Sequence, residues 1–463
     1  MGLDFGTSNS TAAWFDGAEL HLVELEASGP VLPTAVHLDR EFACLTGVAA
    51  IERYVEENRG RRVELVAELI GEAAGAIDEV SPGDITGELE TPRRLLYGPL
   101  TDRGLPGRLF HGLKRLLGDD TLQRLEVFGR PFRLVALLTP ILLRMRQGIA
   151  AALGRPVAAV HVGRPVNFEG RGALSNAVAL ERLAEATAHA GFVNVQFYPE
   201  PVAATLSYLW RAQPADAGVA LTVDFGGGTL DLSLLEYRGT AFTVRGTAGI
   251  GLGGDKIDQL LFQKLLFPLL GKGERWARVV DGYPVDTLFP FEEFEQPLLN
   301  WPITHTLNQN RTKTMVLDRI AKGGAAAEKF ERLNDLITFN YSYNCFQALR
   351  TAKAALSEGE ATVIDIPELN LQIPFTRTQF NALLADALMT IEALIDSLLD
   401  ETGLQASAID IVVRTGGSSQ IVAVRELLER KFPGKVVAHD PFTSVAGGLA
   451  IANYYGYAYE PRG

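Results

Sequence analysis

Two short segments, about half the chain apart, have nearly the same sequence pattern. Residues 3–11 read Leu-Asp-Phe-Gly-Thr-Ser-Asn-Ser-Thr, and residues 222–231 read Thr-Val-Asp-Phe-Gly-Gly-Gly-Thr-Leu-Asp. In each copy an apolar lead-in precedes Asp-Phe-Gly, small and hydroxyl residues follow, and a second apolar stretch comes next. A chain of 463 residues is too long for a single hydrophobic core, so this repeat predicts two related halves. Each half would open with a strand, a tight turn and a returning strand.

The turn in each copy has the composition of a phosphate-binding loop. Consecutive backbone N–H groups in a glycine-rich turn donate several hydrogen bonds at short range, and glycine lets a phosphate approach closely. A single copy would be more typical of an ordinary hairpin, in which Asp and Gly serve turn geometry alone. Two matching copies, one with three consecutive glycines, favour phosphate binding. The residues predicted to contact phosphate are Gly6, Thr7, Ser8, Asn9, Gly226, Gly227, Gly228 and Thr229.

An aspartate stands two positions before the first glycine of each turn. Asp4 and Asp224 would repel a phosphate unless they faced a cation. Mg²⁺ prefers oxygen ligands such as carboxylates and keeps several of its waters. We therefore expect Asp4 and Asp224 to hold one Mg²⁺, through water, against the phosphates.

The rest of the chain predicts a mixed α/β fold. Short apolar strands alternate with segments of helical spacing, a pattern typical of sheets covered by helices. Residues 212–218 contain Pro214 and small polar residues, and we predict that they form the hinge between the halves. Predicted strands are residues 157–162, 193–198 and 409–413, and predicted helices are residues 173–190, 255–270, 324–357 and 420–431.

The segment from Gly416 to Ser419 links a predicted strand to a predicted helix. Ser418 is a good N-cap residue, and a helix N-terminus offers hydrogen-bond donors to an anionic ligand. On its own the segment is equally compatible with an ordinary capped turn. Beside two phosphate turns, a nucleotide contact is favoured.

Composition and charge exclude several other classes of protein. The chain has 43 Lys and Arg against 56 Asp and Glu, a formal net charge of −13, so it is a poor general binder of nucleic acid or anionic membrane. Cys44 and Cys345 lie far apart and the His residues lack metal-ligand spacing, which argues against a structural zinc site or a disulfide framework. The sequence shows no leader pattern and no run of about 18 apolar residues. We expect a cytoplasmic protein that binds neither nucleic acid nor membrane.

Taken in order along the chain, these motifs resemble the ATPase domain of DnaK-type seventy-kilodalton heat-shock chaperones, within the actin and sugar-kinase superfamily. The resemblance covers essentially the whole chain, and its specificity lies in the combination of motifs. The matching segments are residues 4–10, 112–118, 199–204, 224–231, 253–258, 416–419 and 440–448, together with Lys353 and Ser357.

The resemblance implies a two-lobed actin-like ATPase fold of the α/β class, built from duplicated ribonuclease-H-like domains. Lobe I would span residues 1–211, with a subdomain inserted at about residues 37–127. Lobe II would span residues 212–463, with a subdomain inserted at about residues 255–357. ATP or ADP and Mg²⁺ would lie between the lobes, and hydrolysis would be coupled to lobe closure. A protein client or a co-chaperone is implied as a partner.

The resemblance also implies roles for individual residues. Lys114 matches the lysine that stabilises charge developing on the γ-phosphoryl group. Glu200 or Asp224 would orient the attacking water, with Thr229 beside it. The remaining predicted nucleotide contacts are Gly253, Gly254, Lys353, Ser357, Gly416, Gly417, Ser418 and Asp440.

The chain departs from the family pattern at two points. Arg350 lies three residues before Lys353, where the family has an acidic residue, so we expect recognition of adenine or ribose to differ. The sequence ends at Gly463, soon after the last ATPase element, so we expect the peptide-binding domain to be absent.

Two other functions share this fold pattern, because a fold alone does not determine a function. A small-molecule, sugar-type kinase would need a second polar pocket, and an actin-like protein would form filaments. Residues 283–302 carry five aromatic residues among acidic residues and prolines. They are predicted either to bind a partner or, as the favoured interpretation, to connect two parts of the second half with the aromatics as anchors.

Overall fold

The two halves of the chain form two lobes, each centred on a β-sheet. A computed structural model describes residues 1–74, 93–157, 159–169, 175–213, 217–239, 241–280, 282–440 and 443–457. In the first-lobe sheet the strand order is Leu20–Leu22, Asn9–Phe15, Gly2–Phe5, Ala159–Arg164 and Asn194–Pro199, and Leu32–Pro33 also pairs with Asn9–Phe15. In the second-lobe sheet the order is Ala241–Ile250, Leu230–Arg238, Ala217–Phe225, Ile411–Thr415 and Val436–Ala438.

The two sheets agree in strand direction as well as in order. In each lobe the first three strands form an antiparallel meander, and the last two run parallel to the first. Parallel neighbours need a crossover connection, which helices supply in both lobes. The prediction of a two-lobed actin-like α/β fold with duplicated halves is therefore confirmed.

Helices cover both sheets and build much of the inserted parts. The α-helices are Val48–Asn58, Leu134–Leu153, Ser175–His189, Glu200–Ala212, Gly254–Leu261, Glu292–Leu298, Asn310–Ala321, Ala327–Phe339, Ser342–Glu358, Arg377–Leu383, Ala385–Thr402, Val422–Lys431 and Ser444–Tyr455. Shorter 3₁₀ or π segments are Leu113–Leu116, Phe262–Leu266, Phe267–Leu270, Trp301–Leu307, Pro367–Leu369, Ala406–Ala408 and Gly417–Gln420.

Small sheets form the rest of the inserted parts. Residues 75–92 of the first predicted insertion, and residues 214–216 of the predicted hinge, lie outside the described part of the chain. One small sheet has three strands, Cys44–Thr46, Ala35–Asp39 and Gly107–His111. The two-stranded sheets are Leu65–Ala74 with Arg93–Asp102, Leu125–Val127 with Arg130–Phe132, Arg275–Val280 with Tyr283–Leu288, and Ala361–Ile366 with Leu371–Thr376.

Two of the predicted helices are interrupted. The helix predicted at residues 255–270 is α-helical only to Leu261, and its last turn is 3₁₀ at Pro268, which has no N–H to donate. The long helical region predicted at residues 324–357 divides at Asn340, whose left-handed backbone (φ 56°) ends one helix before the next begins.

Most of the aromatic side chains of residues 283–302 are anchors. Phe289, Phe291, Phe294 and Trp301 are buried in the core of the second lobe, whereas Tyr283 is 75% exposed. The favoured interpretation of this segment, a connector fixed by its aromatics, agrees with this burial.

One described helix is long and apolar enough to cross a membrane by length and composition alone. This helix, Leu134–Leu153, contains Arg144 and Arg146, and eight of its residues are buried. They belong to the core of the first lobe, so the role of the helix in this fold is that of a core helix.

The insertions of the two lobes meet above the cleft. Tyr54 Oη lies 2.9 Å from His305 Nδ1, and the backbone N–H of Val63 donates to Asn308 O at 2.7 Å. Residues of the helix Val48–Asn58 also belong to the hydrophobic cluster of the second lobe. The space between the lobes is therefore covered on this side.

The lobes exchange helices at their junction. Helix Glu200–Ala212 packs on strands of the second-lobe sheet, and helix Ser444–Tyr455 packs on strands of the first-lobe sheet and on the other helix. The two helices approach closely at Gly448, where a Cβ atom would lie 1.7 Å from Ala203 O. Only glycine fits there without moving a backbone.

We predict that Gly448→Ala destabilises the protein by about 3 kcal/mol, because overpacked contacts force the backbone to shift. The measurement is the melting temperature of the purified variant. Gly104→Ala is the control, since a Cβ on that exposed glycine meets its nearest atoms at an ordinary 3.6 Å. Equal melting temperatures for the two variants would contradict the close approach.

Candidate functional site

The two repeated segments form matching hairpins whose turns face each other. Phe5 pairs with Ser10 and Phe225 pairs with Leu230, so each hairpin leaves four residues for its turn. A Cβ atom on Gly228 would lie 2.6 Å from Thr7 Oγ1, so the turns touch. Backbone donors of both halves can therefore converge on one ligand.

A cleft of about 650 Å³ opens along these two turns. It is lined by residues of both lobes and by the parts inserted into them. The predicted site residues that line it are Asp4, Gly6, Thr7, Ser8, Asn9, Lys114, Glu200, Asp224, Gly226, Gly227, Gly228, Thr229, Gly254, Lys353, Ser357, Gly416, Gly417 and Ser418.

Two predicted nucleotide contacts, Gly253 and Asp440, are not among the described residues that line the cleft. Gly253 is the N-cap of a helix and packs so closely that a Cβ atom would lie 2.3 Å from Gly227 O. The Asp440 carboxylate accepts the Thr443 N–H at 3.1 Å, and Asp440 O accepts the Thr415 hydroxyl at 3.0 Å. Both residues support the cleft wall from behind.

A buried ion pair joins Lys114 to Glu200. The Lys114 ammonium donates to Glu200 Oε1, and the two residues are only 5% and 8% exposed. Burial opposes the charge on Lys114, but Glu200, Asp4 and Asp231 together outweigh it and raise the pKa of Lys114. Lys114 is therefore held in place as a cation within the cleft.

The surroundings of this ion pair raise the pKa values of three neighbouring aspartates. Burial and then repulsion from Glu200 raise the pKa of Asp4 to about 7, although Lys114 opposes the shift. Burial and Glu200 likewise raise the pKa of Asp231 to about 7. Burial, followed by repulsion from Glu200, Asp231 and Asp4, raises the pKa of Asp224 well above its usual range. The cluster therefore contains more acidic groups than the single positive charge of Lys114 can neutralise.

The sequence motifs did not single out Asp231. Its signal was available, because strand pairing places Asp231 directly opposite Asp224. It accepts the backbone N–H of Val166, a first-lobe residue, at 2.8 Å, so it links the lobes beside the turns.

The donor set fits a cation at Asp4 and Asp224. Buried carboxylates that repel one another are stabilised as anions by a hard divalent ion such as Mg²⁺. Within the described ranges, no group of three or more His, Cys, Asp or Glu side chains forms a metal-binding cluster. Asp4 and Asp224 would supply only part of an ion's coordination shell, and Mg²⁺ keeps several of its waters in such sites.

Two predicted nucleotide contacts of the second lobe, Lys353 and Ser418, are held by hydrogen bonds on or beside its glycine turn. Lys353 donates to Asp258 Oδ1 at 2.6 Å and to Gly254 O at 3.3 Å. Ser418 Oγ donates to Gly226 O at 3.1 Å. Lys353 and Ser418 both line the cleft, so they extend its wall beyond the glycine turn.

Gly416 must be glycine for this junction to form. Its backbone is left-handed (φ 80°), and a Cβ atom would lie 2.8 Å from Asp224 Oδ1. Gly416, which is predicted to contact the nucleotide, is therefore a direct neighbour of Asp224, which is predicted to hold the metal.

Several residues that line the cleft were not predicted as site residues. Arg350 could have been, because it lies three positions before Lys353 and thus on the same helix face. Asp255 and Asp258 lie in the matching segment 253–258, whereas lining residues such as Trp301 gave no local signal, since their approach to the cleft depends on the packing of distant segments. The further lining residues include Ile51, His111, Asp255, Asp258, Trp301, Tyr343, Gln347 and Arg425.

Comparison with known proteins gives a consistent match. The family model described as Hsp70 protein matches residues 112–268 and 343–453. The chain is 24% identical to the mitochondrial heat shock 70 kDa protein of Dictyostelium discoideum over 97% of this chain and 56% of that protein. It is 24% identical to chaperone protein DnaK 3 of a Synechococcus strain over 97% of this chain and 57% of that protein.

A human relative matches over a shorter stretch. The chain is 27% identical to heat shock 70 kDa protein 13 of Homo sapiens over 67% of this chain and 61% of that protein. The chain thus spans between 56% and 61% of the length of these curated relatives.

We predict that the ligand-free protein loses stability as the pH rises from about 4 to about 7, because burial in the folded protein raises the pKa of Asp4 from 3.8 to about 7. A carboxyl whose pKa is raised by folding favours the folded state only while it is protonated. Asp4→Asn should therefore melt higher than the wild type by about 3 °C near pH 7, with the difference shrinking towards pH 4.

The measurement is the melting temperature across this pH range without nucleotide or metal. Asp400→Asn, a change at an exposed helix position, is the control and should follow the wild type. A loss of stability in Asp4→Asn that is the same at both ends of the range would contradict the prediction.

Proposed function

The chain belongs to the Hsp70 family, and on that premise we propose that it binds and hydrolyses ATP in the cleft between its two lobes. Members of this family are ATPases that bind ATP or ADP with Mg²⁺. The observation that carries the proposal is the meeting of two duplicated glycine turns, one from each lobe, beside the buried pair of Lys114 and Glu200.

The two turns would hold the phosphates. Phosphoryl transfer is catalysed mostly by positioning and by stabilising charge, so backbone donors fixed on both sides of a phosphate chain meet its main need. The turns lie at the ends of buried strands, which gives their N–H groups a fixed direction. Hydrolysis would then depend on the two lobes being closed on the same ligand.

Lys114 would stabilise charge that develops on the transferred phosphoryl group. Its ammonium is buried and charged, so its interaction with an anion is weakly screened by water. Glu200 would act as the residue that orients Lys114 and, with Asp224, as a proton acceptor for the attacking water. Thr229 would stand beside that water, since it belongs to the second turn.

Asp4 and Asp224 would hold Mg²⁺, which when bound supplies positive charge to the β- and γ-phosphate oxygens. Without a cation beside them these carboxylates repel one another. Their role would therefore be fulfilled only when nucleotide and metal are present together.

The proposal extends to the partners of the protein and to its location. Family members in general bind protein clients or co-chaperones in addition to nucleotide. We propose such a protein partner for this chain, with nucleotide binding as the activity that controls it. We also propose a cytoplasmic location, which the free thiols of Cys44 and Cys345 support.

Lys114→Ala should lower the rate of ATP hydrolysis by about 10²–10³-fold while ATP binding is retained, because the lysine acts on charge that appears in the transition state. Turnover is measured by phosphate release and affinity by calorimetry. Lys322→Ala, at an exposed position, is the control. A Lys114→Ala variant that hydrolyses ATP at the wild-type rate would exclude the proposed role.

Mg-ATP at about 100 times its Kd should stabilise the wild type by about 2.7 kcal/mol and raise its melting temperature. Hydrolysis without any added acceptor supports the proposed ATPase. ADP release that requires a small-molecule acceptor would indicate a kinase instead, and nucleotide-dependent sedimentation would indicate a filament protein. No thermal shift with saturating nucleotide would contradict an interlobe site.

A further inference from the structure

Asp255 connects parts of the molecule that belong to different lobes. Its backbone N–H donates to Gly227 O at 2.9 Å, so its main chain supports the second phosphate turn. Its carboxylate reaches in the other direction. Ser8 Oγ, in the first phosphate turn, donates to Asp255 Oδ2 at 2.9 Å, and Arg115 Nη2 donates to the same oxygen at 2.9 Å.

Arg115 is anchored in the first lobe. Its neighbours Leu113 and Leu117 are buried in that lobe's hydrophobic core, and it follows Lys114 in the same 3₁₀ segment. Its Nε atom lies 3.5 Å from Glu169 Oε1. The contact between Arg115 and Asp255 is therefore a contact between lobes, next to the lysine proposed to act in hydrolysis.

Arg350 approaches the same carboxylate from within the second lobe. Its Nη2 atom donates to Asp255 Oδ1 at 3.5 Å, and its Nε atom donates to Asp258 Oδ2 at 3.0 Å. Asp255 thus has one cation on each side of the boundary between the lobes. The two arginines offer a comparison in which only one of the contacts crosses that boundary.

The carboxylate is charged in this setting. Asp255 is 17% exposed, and burial opposes its ionisation. Arg350, Arg115 and the neighbouring His111, together with the Ser8 hydroxyl, outweigh burial and lower the pKa of Asp255. An anion this close to phosphate turns is unsuited to contact phosphate itself, and its hydrogen bonds go to protein groups instead.

We infer that Asp255 is a positioning residue, which holds the first phosphate turn in register with the second through Ser8 and Arg115. This inference rests on the proposed function. Donors on two separate lobes stabilise a transition state only if both turns reach the same phosphate at the same time. A ligand in its ground state can be held by one turn and the rest of the cleft, so binding tolerates a loss of register better than turnover does.

Asp255→Asn tests this role, because it keeps the shape of the side chain and removes its charge. We expect kcat for ATP hydrolysis to fall by about tenfold to a hundredfold, while ADP affinity changes by less than about threefold. Asp255→Glu retains the carboxylate and should recover most of the activity. The probes are ATP turnover and calorimetric titration with ADP, each with Mg²⁺.

The arginine variants separate positioning from simple packing. Arg115→Gln should reproduce the kcat loss of Asp255→Asn, and Arg350→Gln, which removes a guanidinium from the same carboxylate within one lobe, should cost less. Arg311→Gln, an exposed position 76% accessible in its side chain, should match the wild type. If Asp255→Asn does not fold, the comparison of Arg115→Gln with Arg350→Gln decides the inference.

Three results would overturn the inference while leaving the ATPase proposal intact. The first is an Asp255→Asn variant with wild-type kcat. The second is an Asp255→Asn variant in which kcat, ADP affinity and melting temperature all fall together. The third is an equal loss of kcat in Arg115→Gln and Arg350→Gln. A wild-type protein that neither binds nor hydrolyses ATP would overturn the proposed function itself, and the inference with it.

Discussion

The repulsion among buried acids in the cleft is the interaction on which the rest of the site depends. Asp4, Asp224, Asp231 and Glu200 surround the single ammonium group of Lys114, and burial prevents water from screening them. Such an arrangement costs stability in the empty protein and is relieved by a ligand that brings cations with it. The fold tolerates this cost because the hairpins that carry Asp4 and Asp224 belong to two well-packed sheets.

The features of the sequence that act locally could be predicted well. Two copies of Asp-Phe-Gly followed by small residues became two hairpins with equivalent strand pairing, since turn chemistry and strand alternation are decided by near neighbours. Lys114 was assigned through family resemblance alone, and no spacing rule would have brought it next to Glu200, 86 positions away. Gly253 and Asp440 belong to the same motifs as residues that line the cleft, but they pack behind its wall. A sequence motif does not distinguish these two positions.

What could not be predicted depends on contacts between distant segments. Trp301 and Tyr343 line the cleft because the part of the chain that carries them is packed beside it. That position results from packing across the whole second lobe. The sequence shows that Arg350 departs in charge from the family pattern, but it does not show which groups balance that charge. The structure shows that its charge is balanced by Asp258 and Asp255, so an arginine is accommodated there without an unpaired buried cation.

The exchange of helices at the junction has a mechanical consequence. Glu200 begins one of the two crossing helices, and the backbones approach each other at Gly448 with almost no side chain between them. A crossing this close leaves room only for small sliding steps of one helix on the other. The lobe movement that we propose to accompany hydrolysis would therefore have this crossing as its pivot, and it would displace Glu200, which begins one of the two helices.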